Sequence, residues 1–256
     1  MTVSFTAHNI RLDDGSLTRP DSDFGGMDEY PWLKAARRLF ETVFPGDKSQ
    51  YRLVDLGCLE GGYAVEFARM GFNVLGIEVR DANIAACNYV KERVNLPNLQ
   101  FVQDDAWNVA QYGQFDVVFC SGLFYHLDKP IQFLNLLRSV TKKLLFLQTH
   151  FAPTDEQDAR TYNLSPLTEN EGVPGRWYRE FANEAQYQKR EELRWASWDN
   201  WKSFWIRREY LLQAISAAGF PLVLEQFDCL GPDIAAEMTT GFYKTNSRST
   251  FIGIRN

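Results

Sequence analysis

The chain has 256 residues, of which 45% are hydrophobic and 14% aromatic, so it is long and apolar enough to bury a sizeable core. Its formal net charge of -6 disfavours bulk binding of nucleic acid, because domains that grip a phosphate backbone usually carry a basic balance. The N-terminus lacks the pattern of a secretion signal, and no segment reaches roughly 18 uninterrupted apolar residues. We therefore expect a cytoplasmic enzyme that is neither secreted nor inserted in a membrane.

The first 48 residues are predicted to form an N-terminal arm and a helix. Residues 1–28 are rich in Gly, Asp and Ser, which favours a loosely structured arm or a short hairpin. We expect His8, within this arm, to lie on the surface. Apolar residues then recur at helical spacing from Pro31 to Phe44, until Pro45 and Gly46 end the run, which predicts an amphipathic helix.

Residues 49–150 alternate short apolar runs with longer helical patterns, which is typical of βαβ units and a mainly parallel sheet. The predicted strands are 51–56, 73–77, 99–102, 115–120 and 143–148. The predicted helices are 64–70, 82–94 and 130–137. These residues are expected to form the ligand-binding core of an α/β fold.

The segment 151–206 interrupts this alternation and is predicted to be an aromatic-rich insertion. Five of the seven Trp residues fall between Trp177 and Trp205, which favours a lid or an acceptor pocket. The alternative is that these Trp residues pack the insertion onto the core. Residues 207–256 are predicted to supply a further helix over 207–218 and two strands over 222–229 and 249–254 that complete the sheet.

Four motifs end the first four predicted strands. The first, Val54-Asp55-Leu56-Gly57-Cys58-Leu59-Glu60-Gly61-Gly62, directly precedes a helix, so its glycines let the backbone turn sharply beside unpaired N–H groups. Glu78 ends the second strand, about 20 residues later, where a carboxylate can accept hydrogen bonds from both hydroxyls of a ribose. The segments 101–106 and 115–122 end the third and fourth strands. All four motifs are expected at the carboxyl edge of the sheet, where open α/β folds bind ligands.

This order of motifs resembles class I S-adenosylmethionine-dependent methyltransferases over roughly residues 50–150. The resemblance implies a Rossmann-like α/β fold with seven mainly parallel strands, helices on both faces, and S-adenosyl-L-methionine as cofactor. It implies that the glycine turn holds the methionine part, that Glu78 holds the ribose and that Asp105 holds the adenine amino group. The implied cofactor-binding residues are Asp55, Gly57, Cys58, Gly61, Glu78, Val79, Asp105, Ala106, Ser121 and Gly122, the last two beside the sulfonium.

Two positions depart from the family pattern. Leu59 stands where the turn of the family often has a glycine. The pair Asp104-Asp105 leaves the adenine contact ambiguous by one residue, and we favour Asp105 because it precedes Ala106.

Two histidines follow predicted strands and are candidates for a general base. His126 is the first candidate, because an imidazole that titrates near neutral pH can remove a proton from a hydroxyl as the methyl group arrives. His150 competes for the same role. The alternatives are that His126 only packs in its loop, or that positioning alone supplies the rate and no base is needed. The candidate substrate contacts are Tyr125, Arg176, Trp177, Tyr178 and Trp198.

The sequence leaves three functions open. The preferred hypothesis is O-methylation of a small molecule or a saccharide. A tRNA-modifying enzyme of the wobble-uridine type is the second, because Phe124-Tyr125-His126 followed by Pro130 resembles a stretch of that group, and because the insertion and the helix after it carry basic residues. The third is a non-catalytic module that binds S-adenosylmethionine. The four cysteines, predicted to be reduced core thiols, form no CxxC pair, so no metal site is predicted.

Overall fold

The computed structural model describes residues 3–23, 25–230 and 233–255. Residues 1, 2 and 24 of the predicted arm, and residues 231, 232 and 256 of the C-terminal segment, lie outside the described residues. The chain divides into two compact units. Unit 1 comprises residues 1–119 and 228–234, and unit 2 comprises residues 120–227 and 235–256.

Seven strands form a mainly parallel sheet in the hydrogen-bonded order β3-β2-β1-β4-β5-β10-β9, and three form a second sheet in the order β6-β7-β8. The strands are β1 (Arg52–Leu56), β2 (Asn73–Glu78), β3 (Leu99–Gln103), β4 (Phe115–Ser121), β5 (Thr141–His150), β6 (Thr168–Asn170), β7 (Val173–Arg179), β8 (Lys202–Ile206), β9 (Leu222–Gln226) and β10 (Arg248–Ile254). The seven-stranded sheet confirms the predicted fold class, and every strand predicted in the core is present.

The helices of the described residues match the predicted pattern where a prediction was made. They are α1 (Pro31–Val43), α2 (Gly62–Arg69), α3 (Asp81–Lys91), α4 (Pro130–Val140), α5 (Glu156–Thr161), α6 (Glu184–Gln188), α7 (Arg208–Ala217), α8 (Ile234–Thr239) and α9 (Phe242–Thr245). None of them is long and apolar enough to cross a bilayer.

In unit 1, β1 and β3 pair in parallel with the two edges of β2. Strands buried in this way are apolar on both faces, as Leu53, Val54 and Leu56 show in β1. α1 buries Phe40, whose ring meets the rings of Phe67 and Phe72 at centroid distances of 5.1 and 5.8 Å. These contacts anchor α1 and α2 in the core of unit 1.

The N-terminal arm is ordered over its described residues, because it is tied to the rest of unit 1. Residues 11 and 17 pair as the bridge of a short hairpin, which is one of the two predicted alternatives. The prediction of a surface His8 is wrong, since its side chain is buried. The sequence offered no sign of the partners that bury it.

In unit 2, β10 lies between β5 and β9 and is antiparallel to both. The insertion forms the three-stranded antiparallel sheet, with β7 in its centre. It is anchored within the unit through Trp205, whose Nε1 donates to the Tyr125 carbonyl at 3.0 Å, and through Phe204, which is fully buried. Trp195, by contrast, is 65% exposed, so the Trp residues do not share one role.

All four cysteines are buried and none of them is in a disulfide bond, as predicted. Cys58 Sγ and Cys87 Sγ lie 3.9 Å apart, and burial raises the pKa of both thiols. Among the described residues, no cluster of three or more His, Cys, Asp or Glu side chains could hold a metal ion.

Candidate active site

The glycine turn after β1 is built from left-handed backbone. Gly57 and Gly61 have φ values of 65° and 83°, a region that residues with a Cβ seldom adopt. A Cβ on Gly61 would lie 2.6 Å from the Phe101 ring, so this position also excludes any side chain. The amides of Gly57 and Cys58 both donate to the Ile77 carbonyl, at 2.9 and 3.0 Å, which holds the turn against the end of β2.

Leu59 occupies the middle one of the three left-handed positions of this turn, with a φ of 54°. This is the position where the resembling family often has glycine, and the geometry gives the physical reason for that preference. A leucine here stores backbone strain of about 1–3 kcal/mol. Its amide donates to Glu78 Oε2 at 2.9 Å, so the strained residue links the turn to the carboxylate at the end of β2.

Two buried carboxyl groups, Asp55 and Glu78, lie at the ends of β1 and β2. Burial, followed by repulsion from Glu78, raises the pKa of Asp55 to about 8. Burial also raises the pKa of Glu78, although hydrogen bonds to backbone amides and the Arg80 charge oppose the rise. Glu78 Oε1 accepts from the amides of Val79 and Arg80 at 3.0 and 2.9 Å. Both carboxyl groups are thus buried at the strand ends, and the hydrogen bonds to backbone amides hold Glu78 in one orientation.

These residues fit a cofactor that brings hydrogen-bond donors and positive charge. Within the described part of the chain, Asp55 Oδ2 is buried and has no hydrogen-bond partner, and such an atom is costly unless a ligand donates to it. S-adenosylmethionine carries both an ammonium and a sulfonium group, and its ribose carries two hydroxyl donors. Asp55 and Glu78 are the residues that would hold it.

Asp104 and Asp105 have different surroundings, which bears on the predicted adenine contact. Asp104 accepts from Asn108 Nδ2 and from the Tyr112 hydroxyl, both at 2.7 Å, and these two hydrogen bonds lower its pKa. Asp105 caps the 3-10 turn that begins at Ala106 by accepting from Trp107 N at 2.9 Å. Both carboxylates thus take part in hydrogen bonds within the fold, and the choice of Asp105 for the adenine contact stays a prediction.

The sequence analysis missed the role of Glu60 within the glycine turn. This fully buried carboxylate accepts from the amides of Thr6, Ala7 and His8 at 2.6, 3.1 and 2.7 Å. His8 Nδ1 in turn accepts from Gly62 N, the first amide of α2, at 3.0 Å. Burial lowers the pKa of His8 to about 4, so this nitrogen is unprotonated at neutral pH. The arm is therefore part of the turn's support.

In unit 2, His126 is paired with a carboxylate that the sequence did not single out. Its Nδ1 lies 2.9 Å from Glu180 Oε1, and Glu180 is buried. The same carboxylate accepts from Ser203 Oγ at 2.6 Å and from Ser197 N at 2.9 Å. Because a carboxylate accepts hydrogen bonds, Nδ1 carries the proton and Nε2 of the neutral ring is left as the basic nitrogen. Glu180 stands in the insertion 151–206, but only the fold brings it to His126.

His150 is held by a backbone carbonyl. Its Nδ1 lies 3.0 Å from the Ser247 oxygen, so this nitrogen is the donor and Nε2 is unprotonated. The ring stacks on Trp205 with centroids 4.7 Å apart and an interplanar angle of 13°. Burial, followed by the Arg248 charge, lowers the pKa of His150 to about 4. His150 is thus neutral at physiological pH and only weakly basic.

Tyr125 joins the two histidines into one cluster. Its ring centroid lies 4.3 Å from that of His126 and 4.7 Å from that of His150. Ser121, predicted to lie beside the sulfonium, donates to Gln148 Oε1 at 2.9 Å, and Gly122 has a φ of 81°. The structure therefore brings together the two candidate bases, His126 and His150, and the candidate substrate contact Tyr125.

The remaining substrate candidates separate into different roles. Arg176 is buried in an ion pair with Glu156, at 2.6 Å, and donates to three carbonyls, so its guanidinium is occupied within the fold. Trp198 packs on Arg190.

The other two substrate candidates, Trp177 and Tyr178, line a cavity of about 480 Å³ that has eight lining residues. These are Asn163, Leu164, Ser165, Trp177, Tyr178, Arg179, Trp201 and Lys202.

Several known proteins are similar to this chain in sequence or in fold. The sequence profile of the family described as methyltransferase domain matches residues 28–225. The ubiquinone biosynthesis O-methyltransferase of Acinetobacter baumannii strain AYE is 30% identical over 93 residues, which are 36% of this chain and 39% of that protein. The malonyl-[acyl-carrier protein] O-methyltransferase 1 of Ilyobacter polytropus is 27% identical over 101 residues, 39% of this chain and 37% of that protein. The matches thus span well under half of these relatives.

Solved structures extend the likeness to most of the fold. The N-terminal domain of EvdMO1 with SAH bound has a TM-score of 0.64 at 23% identity, covering 89% of this chain and 82% of that one. The magnesium protoporphyrin IX methyltransferase of Synechocystis PCC 6803, also with SAH bound, has a TM-score of 0.54 at 13% identity, with coverages of 88% and 82%. As the glycine turn and the acidic strand ends predicted, the chain belongs to the methyltransferase domain family and has the class I fold of S-adenosylmethionine-dependent methyltransferases.

Proposed function

We propose that the protein transfers the methyl group of S-adenosylmethionine to a hydroxyl oxygen of a small molecule or a saccharide. The observation that carries the proposal is the pairing of His126 with the buried carboxylate of Glu180. A hydroxyl is a weak nucleophile whose proton must leave as the new C–O bond forms, and such a pair supplies a positioned base.

His126 acts as the general base in this proposal. The cofactor supplies a methyl group on a sulfonium centre. The unprotonated Nε2 of His126 accepts the hydroxyl proton, and the imidazolium that results is stabilised by the Glu180 carboxylate at 2.9 Å. The two hydrogen bonds that Glu180 accepts from Ser203 and Ser197 hold it in place, so the ring orientation is set before the acceptor binds.

His150 has a different role, because burial lowers its pKa to about 4. A ring of such low basicity is a poor proton acceptor at neutral pH. Its Nε2 can still accept a hydrogen bond from an acceptor hydroxyl, and its stacking on Trp205 fixes the direction of that bond. We therefore assign His150 to orientation of the acceptor rather than to proton removal.

The aromatic cavity of unit 2 supports a compact, hydroxylated acceptor. Trp177, Tyr178 and Trp201 contribute rings, while Asn163 and Lys202 contribute polar groups, a combination common in small-molecule sites. Tyr178 also stacks on Trp205 at 5.5 Å, the ring that supports His150. The curated relatives are named as O-methyltransferases, and the N-terminal domain of EvdMO1 was also crystallised in the presence of SAH and D-fucose, which favours the same class of acceptor.

The tRNA-modifying alternative is less favoured, because basic residues of unit 2 are engaged within the fold. Lys202 Nζ lies 4.0 Å from the Trp177 ring centroid, Arg207 pairs with Glu209, and Arg208 pairs with Glu225 at 2.8 Å. Cations held by internal partners contribute less to binding a phosphate backbone. These intramolecular contacts thus disfavour the use of these basic residues as an RNA-binding surface.

The test begins with calorimetric titration of the full chain with S-adenosylmethionine and with its product S-adenosylhomocysteine. Labelled S-adenosylmethionine is then offered with a panel of catechols, sugars and bulk tRNA, and the position of the label is read by fragmentation mass spectrometry. We expect binding of both cofactor forms and an O-methyl ether product. Label on nitrogen or carbon would contradict O-transfer, and cofactor binding with no turnover on any acceptor would favour the non-catalytic module.

A further inference from the structure

Arg248 is a cation at the candidate acceptor site that has no carboxylate partner in the part of the chain that the structure describes. It begins β10 and stands opposite His150 of β5 in the register. Its Nη2 donates to Gln148 Oε1 at 2.8 Å, the same oxygen that accepts from Ser121 Oγ. Among the described residues this is the one side-chain hydrogen bond that Arg248 makes, and none of their carboxylates lies within 4.0 Å of it.

Other arginines of unit 2 provide a comparison within the same molecule. Arg176, Arg207 and Arg208 each pair with a carboxylate, from Glu156, Glu209 and Glu225 respectively. A guanidinium that is partly withdrawn from water without such a partner is unfavourable unless a ligand completes it. Arg248 has a buried Nε without a partner in the described residues, as Arg207 does, but it differs from all three because no carboxylate of the described residues pairs with it.

The residue beside the Arg248 guanidinium is Gly122, which has no side chain. A Cβ at position 122 would lie 3.7 Å from Arg248 Nη2 and 3.9 Å from the Tyr125 hydroxyl. A side chain extending further would lie against both groups. The glycine therefore leaves room at the guanidinium, which lies 5.6 Å from the Tyr125 ring centroid.

We propose that Arg248 binds an anionic oxygen group, a carboxylate or a phosphate, carried by the methyl acceptor. Gln148 holds the guanidinium in place, and the remaining N–H groups present a fork that matches such oxyanions. The proposal rests on the proposed function, because it identifies this cluster with the acceptor site. It narrows the class of acceptor from hydroxylated molecules to hydroxylated molecules that are also acidic. The net charge of the protein is -6, which disfavours binding of anions at other places on its surface.

The experiment compares matched acidic and neutral ligands on the full chain saturated with S-adenosylhomocysteine. One pair is 3,4-dihydroxybenzoate and 3,4-dihydroxybenzamide, and the other is glucose 6-phosphate and glucose, so the two arms distinguish a carboxylate from a phosphate. Binding is measured by calorimetry and by the quenching of Trp fluorescence. In wild-type protein the acidic member of at least one pair is expected to bind about tenfold more tightly or better than its neutral counterpart.

Variants assign that preference to Arg248. Arg248→Met is expected to remove the preference for the acid, and Arg248→Lys to retain part of it. Arg207→Met, the same change at an arginine that is paired with Glu209, is the control and should keep the full preference. Unchanged affinity for S-adenosylhomocysteine shows that each variant is folded.

Two results would overturn the inference: no preference for the acid in either pair with wild-type protein, including no binding at all, or a preference that survives in Arg248→Met. These results are independent of methyl transfer. If the acids bind through Arg248 but no acceptor is methylated, the anion site stands and the proposed function fails. If an acceptor is methylated but the wild-type protein shows no preference for the acid in either pair, the proposed function stands and the anion site fails.

Discussion

The two compact units differ in the ionisable side chains at and after the ends of their strands. In unit 1, Asp55 and Glu78 are buried carboxyl groups, and one oxygen of Asp55 has no partner among the described residues. In unit 2, the imidazole of His126 lies in the turn after β4, the imidazole of His150 ends β5, and the guanidinium of Arg248 begins β10. S-adenosylmethionine is cationic, and a hydroxyl that loses its proton becomes negative. Under the proposed function, the acidic side chains of unit 1 would hold the methyl donor and the basic side chains of unit 2 would hold the acceptor.

The largest expected effect separates turnover from cofactor binding. His126→Ala should lower kcat by roughly a hundredfold to ten-thousandfold, because it removes the proposed general base, while the affinity for S-adenosylmethionine stays unchanged. Glu180→Gln should reduce kcat less and alter its pH profile. Steady-state kinetics and calorimetry check both variants. Unchanged turnover in His126→Ala would remove this residue from the mechanism and transfer the question to His150.

The second prediction addresses the acidic set. Glu78→Ala should weaken S-adenosylmethionine binding by about a hundredfold, since it removes the proposed charged acceptor for two ribose hydroxyls. Calorimetry on the purified variant measures the loss. Asp116→Ala is a matched control, because this carboxylate accepts from Arg52 N and stands at the beginning of β4 rather than at its end. Equal losses in both variants would indicate general damage to unit 1.

A third, smaller effect concerns the support of the glycine turn. Glu60→Ala removes a carboxylate that accepts from the amides of residues 6, 7 and 8, so the free energy of unfolding should fall by about 1–3 kcal/mol. Hydrogen exchange at residues 6–8 should also become faster. Glu92→Ala is the control, because the Glu92 side chain is 74% exposed. If urea unfolding gives the same stability for both variants, the arm does not stabilise the turn.

The smallest expected effect is a pH dependence of cofactor affinity. The pKa of Asp55 in the free protein is raised to about 8, so Asp55 is mostly protonated at pH 6–7. Binding of a cation favours its ionised form. Affinity for S-adenosylmethionine should therefore rise with pH, by about tenfold between pH 6 and pH 7, with release of a proton on binding. Titrations in buffers of different ionisation enthalpy measure this release, and Asp55→Asn should abolish it. A flat profile in the wild type would contradict the assignment.

The sequence predicted the core elements and the residues at the ends of the first two strands best. Strand and helix periodicity located the elements of the core, and Gly57, Gly61 and Glu78 identified the cofactor family, because their positions follow from local backbone geometry and chain order. The same logic could not find Glu60 or Glu180. The partner of each carboxylate lies more than 50 residues away in the chain, His8 for Glu60 and His126 for Glu180.

Local chain order thus determined the α/β fold, the glycine turn, and the acidic residues at the ends of β1 and β2. Tertiary structure alone decided how the isolated side chains were used. It buried His8 against the turn, paired His126 with Glu180, placed Arg176 in an internal ion pair, and left Arg248 without a carboxylate among the described residues. The physical reason is that a backbone conformation is encoded within a few neighbouring residues, whereas the charge and hydrogen-bond partners of a side chain depend on segments that only folding brings together.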